Sequence, residues 1–553
     1  MWKILCVVVT INIAAKVACL VAGRMENLNS EAIYASRTRY TVLVDAGSSG
    51  SRMFVYTWTT DRDGFANYSS LKLFNDSQGK PLVRKITPGL SSFRGSPLAV
   101  RAYISKLLDI AASEIPRSDH AKTPVFVLAT AGMRLLPQNE QDIIWNEVRN
   151  SIRSKYEFEF KDSYAETITG DEEALFGWIA INFILDSFPS SSNKKKPTQG
   201  MLDMGGASMQ ISYEVSQDQP VPKETTMKFE FVVTELRETL NYKVFPVSYL
   251  YYGMQEIRNQ YAREVIKTYQ QKNVIPDNQS DIQIEDPCIN TNLTVTQNVT
   301  LNASGNALQL TVDFVGKGDF DLCHNRIVPL LKVRNDCMPL ICTINGNARP
   351  DVDLSIMQFY GLSEYYYSLD DVMPKDATNY RYDVIAPKVK ALCAELWQDF
   401  VERLRRENPT LTEEELAERI RLKRLICFKA VYVLATIHEG LQFPKSYDKL
   451  YPVTHLRGIE TQWTLGALVY ILNTDHRKQL QESVITKISI AVVSLCMVLL
   501  VIIFIILIIH RERQCKGAGF GSCIERIRLT DKPDGNSTAE PDANNHSTSV
   551  SEP

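Results

Sequence analysis

Two stretches of the chain end an apolar run in aspartate and continue at once into glycine and serine. In the first, Tyr40–Tyr56, Asp45 leads Ala46, Gly47, Ser48, Ser49, Gly50, Ser51 and Arg52. In the second, Gly200–Tyr213, Asp203 leads Met204, Gly205, Gly206, Ala207 and Ser208. Residues without bulky side chains let backbone N–H groups come close to an anion, so each stretch suits phosphate oxygens. Each reads as strand, tight turn, strand. Two such turns facing each other would clamp a polyphosphate from both sides. Carboxylates beside phosphates suit Mg2+ or Ca2+, held largely through water, which makes Asp45 and Asp203 candidate metal-site residues. A single Asp-x-Gly is an ordinary turn signal; the repetition is what points to a site.

A third patch opens with Thr169 and Glu172 in capping-box spacing and runs on through Glu173 and Ala174 into an apolar helical stretch ending near Ile184. Acids at a helix N-terminus have a purely structural use. Direct attack of water on a phosphoryl group also needs a carboxylate base, which one of these acids can supply.

The elements that must hold these patches alternate between strand and helix. Thr123–Leu128 reads as a strand and runs into Ala129–Arg134; Ser96–Glu114 and Asn139–Tyr156 read as helices. Ser96 with Pro97 suits an N-cap followed by proline at the first helical position. The fold class is α/β. The loop Pro189–Pro197 separates the two aspartate-led units, so two similar lobes are expected. Residues 412–424 are a run of charges opened by a capping box, Thr412 with Glu415, and read as a solvated helix face.

The whole chain, 553 residues, allows two or three domains. A formal net charge of −3 gives no reason to expect nucleic acid as a partner. Ile488–Ile509 carries no charge and is long enough to cross a lipid bilayer. Basic residues (Arg511, Arg513, Lys516) crowd its distal side, so the tail 510–553 is expected in the cytosol. Residues 1–23 read as a signal peptide or, preferably, an uncleaved signal anchor. Either choice puts the middle of the chain outside the cytosol. Sequons at Asn67, Asn75, Asn278, Asn292, Asn298 and Asn302 agree. So do six cysteines, Cys288, Cys323, Cys337, Cys342, Cys393 and Cys427, an even number suited to three disulfides. Fifteen pairings are open; neighbour order would join 288–323, 337–342 and 393–427.

Taken together, Asp45–Arg52, Ala129–Arg134, Gly170–Trp178, Asp203–Tyr213 and Gln462–Gly466 resemble, in order and spacing, the five conserved regions of the ectonucleoside triphosphate diphosphohydrolases, the CD39-like apyrase family. The resemblance covers about residues 38–475. Finer matches at Asp45–Arg52, Lys85–Gly89, Gly316–Cys323 and Phe359–Tyr367 resemble the Golgi and intracellular-vesicle branch; the plasma-membrane branch has histidine where this chain has Gly50.

The resemblance implies two actin-like, ribonuclease H-like lobes with the site in the cleft between them. It places lobe I at 38–190, completed by about 455–480, and lobe II at 198–454. It implies hydrolysis of nucleoside di- and triphosphates, UDP and GDP among them, with Ca2+ or Mg2+, in the Golgi lumen; a cell-surface apyrase and a nucleotide-binding receptor without catalysis are the alternatives. A homo-oligomer is compatible with it. By motif, Glu173 would be the base, with Ser208 and Gln210 positioning the water. Ser48, Ser49, Gly50, Thr130, Ala131, Gly205, Gly206 and Ala207 would contact phosphates, and Asp45 and Asp203 would hold waters on the metal with Trp463 nearby. Tyr367 would stack on the base. The family usually has glycine after the catalytic glutamate, where this chain has Ala174.

Overall fold

Two six-stranded sheets carry the aspartate-led turns, and they repeat one topology. The computed structural model describes residues 38–517, apart from 62–63, 190, 223–224, 272–281, 304–305 and 375–377. The expected N-terminal anchor, the sequon at Asn278 and the tail beyond 517 lie outside these residues.

In the first sheet Thr38–Ala46 pairs antiparallel with Ser51–Thr60, which pairs antiparallel with Ala66–Leu73 and Val83–Ile86. On its other side Thr38–Ala46 runs parallel to Val125–Ala129, which runs parallel to Ala165–Thr167. In the second sheet Gly200–Met204 pairs antiparallel with Ser208–Glu214, and that strand with Glu238–Leu250. Gly200–Met204 also runs parallel to Phe359–Ser363, itself parallel to Leu450–Pro452. A further strand, Met227–Val233, closes the antiparallel edge.

Central strands of this kind are covered on both faces. Hence Thr41–Val44 is buried without alternation, as parallel-sheet strands are. Helices Ala99–Glu114 and Gln138–Lys155 cover one face of the first sheet. Helix Gly170–Ile184 is apolar nearly all round and buries residues on all its faces, the pattern of a core helix. It packs against the strands of the second sheet and shares a core with residues of both sheets.

The expected N-cap at Ser96 is overturned. The helix begins at Ala99, and Ser96 instead ends a preceding 3-10 turn, its N–H bonded to the Phe93 carbonyl at 2.9 Å. Tight turns there (Ala99 N–H to Ser96 O, 3.0 Å) delay the helix past the proline. Both capping boxes form as expected, at Thr169 and at Thr412. The three disulfides join Cys288 to Cys323, Cys337 to Cys342 and Cys393 to Cys427, the neighbour order.

Residues up to Arg477 form one compact unit and those from Lys478 another. The last helix, Trp463–Gly517, starts in the first. There Trp463, Leu465, Ala467, Leu468, Val469 and Leu472 are buried. A Cβ on Gly466 would meet the Phe176 carbonyl, so the helix lies directly on Gly170–Ile184. Asn473 then bonds the edge strand of one sheet, accepting from Val232 N–H at 2.8 Å. His476 bonds the edge strand of the other, accepting from Ala66 N–H at 2.8 Å. Within the second unit the helix is apolar across Ile488–Ile509. Among the described residues it is the one helix long and apolar enough to cross a membrane.

Candidate active site

The two turns meet. In each hairpin the aspartate pairs with the residue seven places on, 45 with 52 and 203 with 210, so both turns project from their sheets alike. A Cβ on Gly206 would stand 2.8 Å from Ser48 Oγ, which puts the turn of one lobe against the turn of the other. The first turn is packed from behind: a Cβ on Gly132 would be 2.7 Å from Ser48 Cα, and one on Gly50 would be 2.6 Å from the Ile86 carbonyl. Only glycine permits such approaches.

One cleft is lined by Asp45, Ser48, Ser49, Gly50, Thr130, Ala131, Glu173, Asp203, Gly205, Gly206, Ala207, Ser208, Tyr367 and Trp463. Every residue expected from the sequence is on this wall except Gln210. That side chain stands behind Ser208, its Nε2 donating to Ser208 Oγ at 2.7 Å and to Ser248 Oγ at 3.0 Å. Ala174 is fully buried and does not line the cleft, so its methyl group does not intrude there.

The three acids after Gly170 separate by use. Glu172 turns back on the Thr169 N–H at 2.8 Å to complete the cap. Glu173 is buried and lines the cleft. Arg134 Nη2 donates to Glu173 Oε2 at 2.7 Å and to Ser208 Oγ at 3.2 Å, while its Nη1 donates to the Ile168 carbonyl at 3.1 Å. Burial raises the Glu173 carboxyl above the usual carboxylate range, and Arg134 opposes the rise. Arg134 ends a motif quoted from the sequence, yet its partners lie 39 and 74 positions away, so spacing gives no sign of its role. Ser363 was also missed; it lines the cleft with Asp203. Arg52, Lys85 and Glu460 line the outer cleft, with Arg52 and Glu460 paired at 3.4 Å.

A cation fits between the aspartates. Asp45 Oδ1 and Asp203 Oδ1 are both buried without a hydrogen-bond partner among the described residues. Burial, then Glu173 and Asp203, push the Asp45 carboxyl up to about 7, against the pull of Arg52 and a bond to Trp463. Burial and then Glu173 push Asp203 up to about 6. Two buried aspartates with unpartnered oxygens suit a hard divalent cation held largely through water.

Comparison with known proteins agrees with this geometry. The sequence profile of the GDA1/CD39 (nucleoside phosphatase) family matches residues 32–487. Ectonucleoside triphosphate diphosphohydrolase 4 of Mus musculus is 33% identical over 458 residues, 78% of this chain and 73% of that protein. Nucleoside-diphosphatase mig-23 of Caenorhabditis elegans is 29% identical over 447 residues, 78% and 76% of the two chains. A crystal structure of nucleoside triphosphate hydrolases from Neospora caninum superposes with a TM-score of 0.57 at 15% identity, covering 84% of this chain and 97% of that one, which shows a common fold. With a profile match over most of its length and 33% identity across 458 aligned residues to one such relative, the chain belongs to the GDA1/CD39 (nucleoside phosphatase) family.

Proposed function

We propose that the chain hydrolyses nucleoside di- and triphosphates to the monophosphate and phosphate by direct attack of water, with a divalent cation bound between Asp45 and Asp203. The observation that carries this reading is the meeting of two glycine-rich turns, each led by an aspartate with an orphaned oxygen, over a buried glutamate. The names of the relatives support both nucleotide classes.

The phosphate chain lies between the turns at Ser48–Gly50 and Gly205–Ala207, whose backbone N–H groups, with Thr130 and Ala131, hold its oxygens. Asp45 and Asp203 would hold Ca2+ or Mg2+ through water, and the ion would neutralise phosphate charge. Ser208, fixed by Gln210 and Arg134, positions the water. Arg134 occupies Glu173 Oε2, so Oε1 takes the proton as the water oxygen bonds to the terminal phosphorus. The bridging P–O bond breaks and the nucleotide leaves with the bridging oxygen. Phosphoryl transfer is governed by positioning and charge stabilisation, which suits a rigid cradle. A base raised by burial toward neutrality is well matched to proton abstraction.

The same reading puts the catalytic unit in the Golgi lumen, anchored in the bilayer by Ile488–Ile509. Support comes from three disulfides and from sequon asparagines Asn67, Asn75, Asn292 and Asn298 exposed to solvent. The test is phosphate release by the full chain in detergent from UDP, GDP, UTP and ATP, with Ca2+, Mg2+ or a chelator. Release with either metal and none with the chelator is expected; no release in any arm, or release indifferent to the chelator, sinks the proposal.

A further inference from the structure

The aromatic wall of the cleft stands on one turn of helix. Strand Phe359–Ser363 ends at Ser363, whose φ is +54°, and helix Glu364–Tyr367 follows. A helix this short does not hold itself together. Yet Tyr367, 52% exposed as a residue, must stand still opposite Arg52 and Glu460 if a base is to stack on it.

Two lysines from later helices fix the turn at its two ends. From helix Ile426–Ala435, Lys429 Nζ donates to both carboxylate oxygens of Glu364, at 3.0 and 3.2 Å. From the end of the charged helix Glu413–Lys423, Lys423 Nζ donates to the Tyr367 carbonyl at 3.0 Å and to Asp370 Oδ1 at 2.5 Å. It also touches Asp371 Oδ2, without hydrogen-bond alignment. Arg419, from the same helix, adds a second cation 3.9 Å from Asp370.

Lys423 is only 8% exposed. Lysine is almost never buried without being paired for a purpose, and here the pairing reaches 56 positions back along the chain to a main-chain carbonyl.

We propose that Lys423 is a positioning residue for nucleobase recognition. By holding the Tyr367 carbonyl and Asp370–Asp371 it sets where the Tyr367 ring stands, and so sets nucleotide affinity without touching the reacting phosphate. Lys429 holds the other end of the turn, at Glu364 next to Ser363. This inference rests on the nucleotide-hydrolase reading above.

The test compares Lys423→Met with wild type, as full chains in detergent, on UDP and on ribose 5-diphosphate, which lacks the base. The expected result is a KM for UDP raised about tenfold, the size of one lost base–aromatic stack, with kcat within about twofold. KM for ribose 5-diphosphate should be unchanged, and Lys423→Arg should restore most of the UDP affinity. A fall in kcat on both substrates together, or an equal rise in both KM values, makes Lys423 merely structural and overturns the inference. An unchanged UDP KM overturns it too. If Lys423→Met does not fold, the triple variant Asp370→Asn/Asp371→Asn/Lys423→Met removes the stranded charges and is read in the same way. Wild-type chain that releases no phosphate from UDP defeats the hydrolase reading itself, an outcome distinct from all of these.

Discussion

Glu173 and Arg134 make one unit: the arginine holds the carboxylate, and the carboxylate holds the arginine against Ser208. Replacing Glu173 with Gln keeps the shape and removes the proposed base. Phosphate release is expected to fall by about 10²–10⁴-fold. The melting temperature should change little, because losing the Arg134 ion pair is offset by less repulsion on Asp45 and Asp203. Near-wild-type release by the purified variant would remove Glu173 from the mechanism. His476 acts on stability instead. Its Nε2 accepts from the Ala66 N–H, which requires the neutral ring, and burial pulls its pKa down to about 4. The unfolded chain, with an ordinary histidine near 6.5, therefore binds protons first as pH falls. This contribution is complete above about pH 6.5 and is lost on descending toward pH 4, in total about 3 kcal/mol. Urea midpoints followed from pH 7 to 4 should drop more steeply in wild type than in His476→Gln, and parallel curves would refute the assignment. Of these residues, Glu173 was singled out for the cleft by its motif. Arg134 was not, since its partners are distant in sequence.

At the scale of elements, the hairpin turns show how a local signal and a distant constraint combine. Glycine and serine after an apolar run announce a turn that admits phosphate. What presses that turn into place is remote. A Cβ on Gly253 would lie 2.5 Å from backbone atoms of Gly206, Ala207 and Ser208, so the segment after strand Glu238–Leu250 is the floor of the second turn. Gly253→Ala should displace that turn. Because a shift of about 1 Å at a reacting centre can cost about 10²-fold, kcat/KM is expected to fall at least tenfold in a chain that still folds. Activity within twofold of wild type would mean the floor yields freely. The charged segment 412–424 teaches the converse. Its capping box and exposed acids were readable, whereas the burial of Lys423 was not, because the carbonyl and carboxylates it meets belong to the segment Tyr367–Asp371, more than fifty positions earlier.

For the whole molecule, the last helix begins inside the core and carries the apolar stretch in its later part. A fragment of residues 38–480, which also lacks the expected N-terminal anchor, should therefore be folded and recovered in the aqueous phase. A chain ending at 460 loses Trp463, Leu465, Leu468, Val469 and Leu472, all buried. At roughly 2 kcal/mol each this is about 10 kcal/mol, comparable with the net stability of a whole protein. That chain should aggregate. Soluble, monodisperse protein from the shorter version, judged by gel filtration, would contradict the packing described here.

The chain's local pattern determined a good deal: strand–turn–strand twice over, alternating α/β elements, a bilayer-length apolar run and two helix caps. All of these are set by residues within a few positions of each other, where periodicity, turn chemistry and capping act. Tertiary structure alone decided that Gln210 stands behind Ser208, that Asn473 and His476 bond the edges of different sheets, and that a buried lysine steadies Tyr367. Apart from the Gln210–Ser208 bond, these contacts join groups far apart in sequence that tertiary packing brings within about 3 Å, and no local rule encodes that distance.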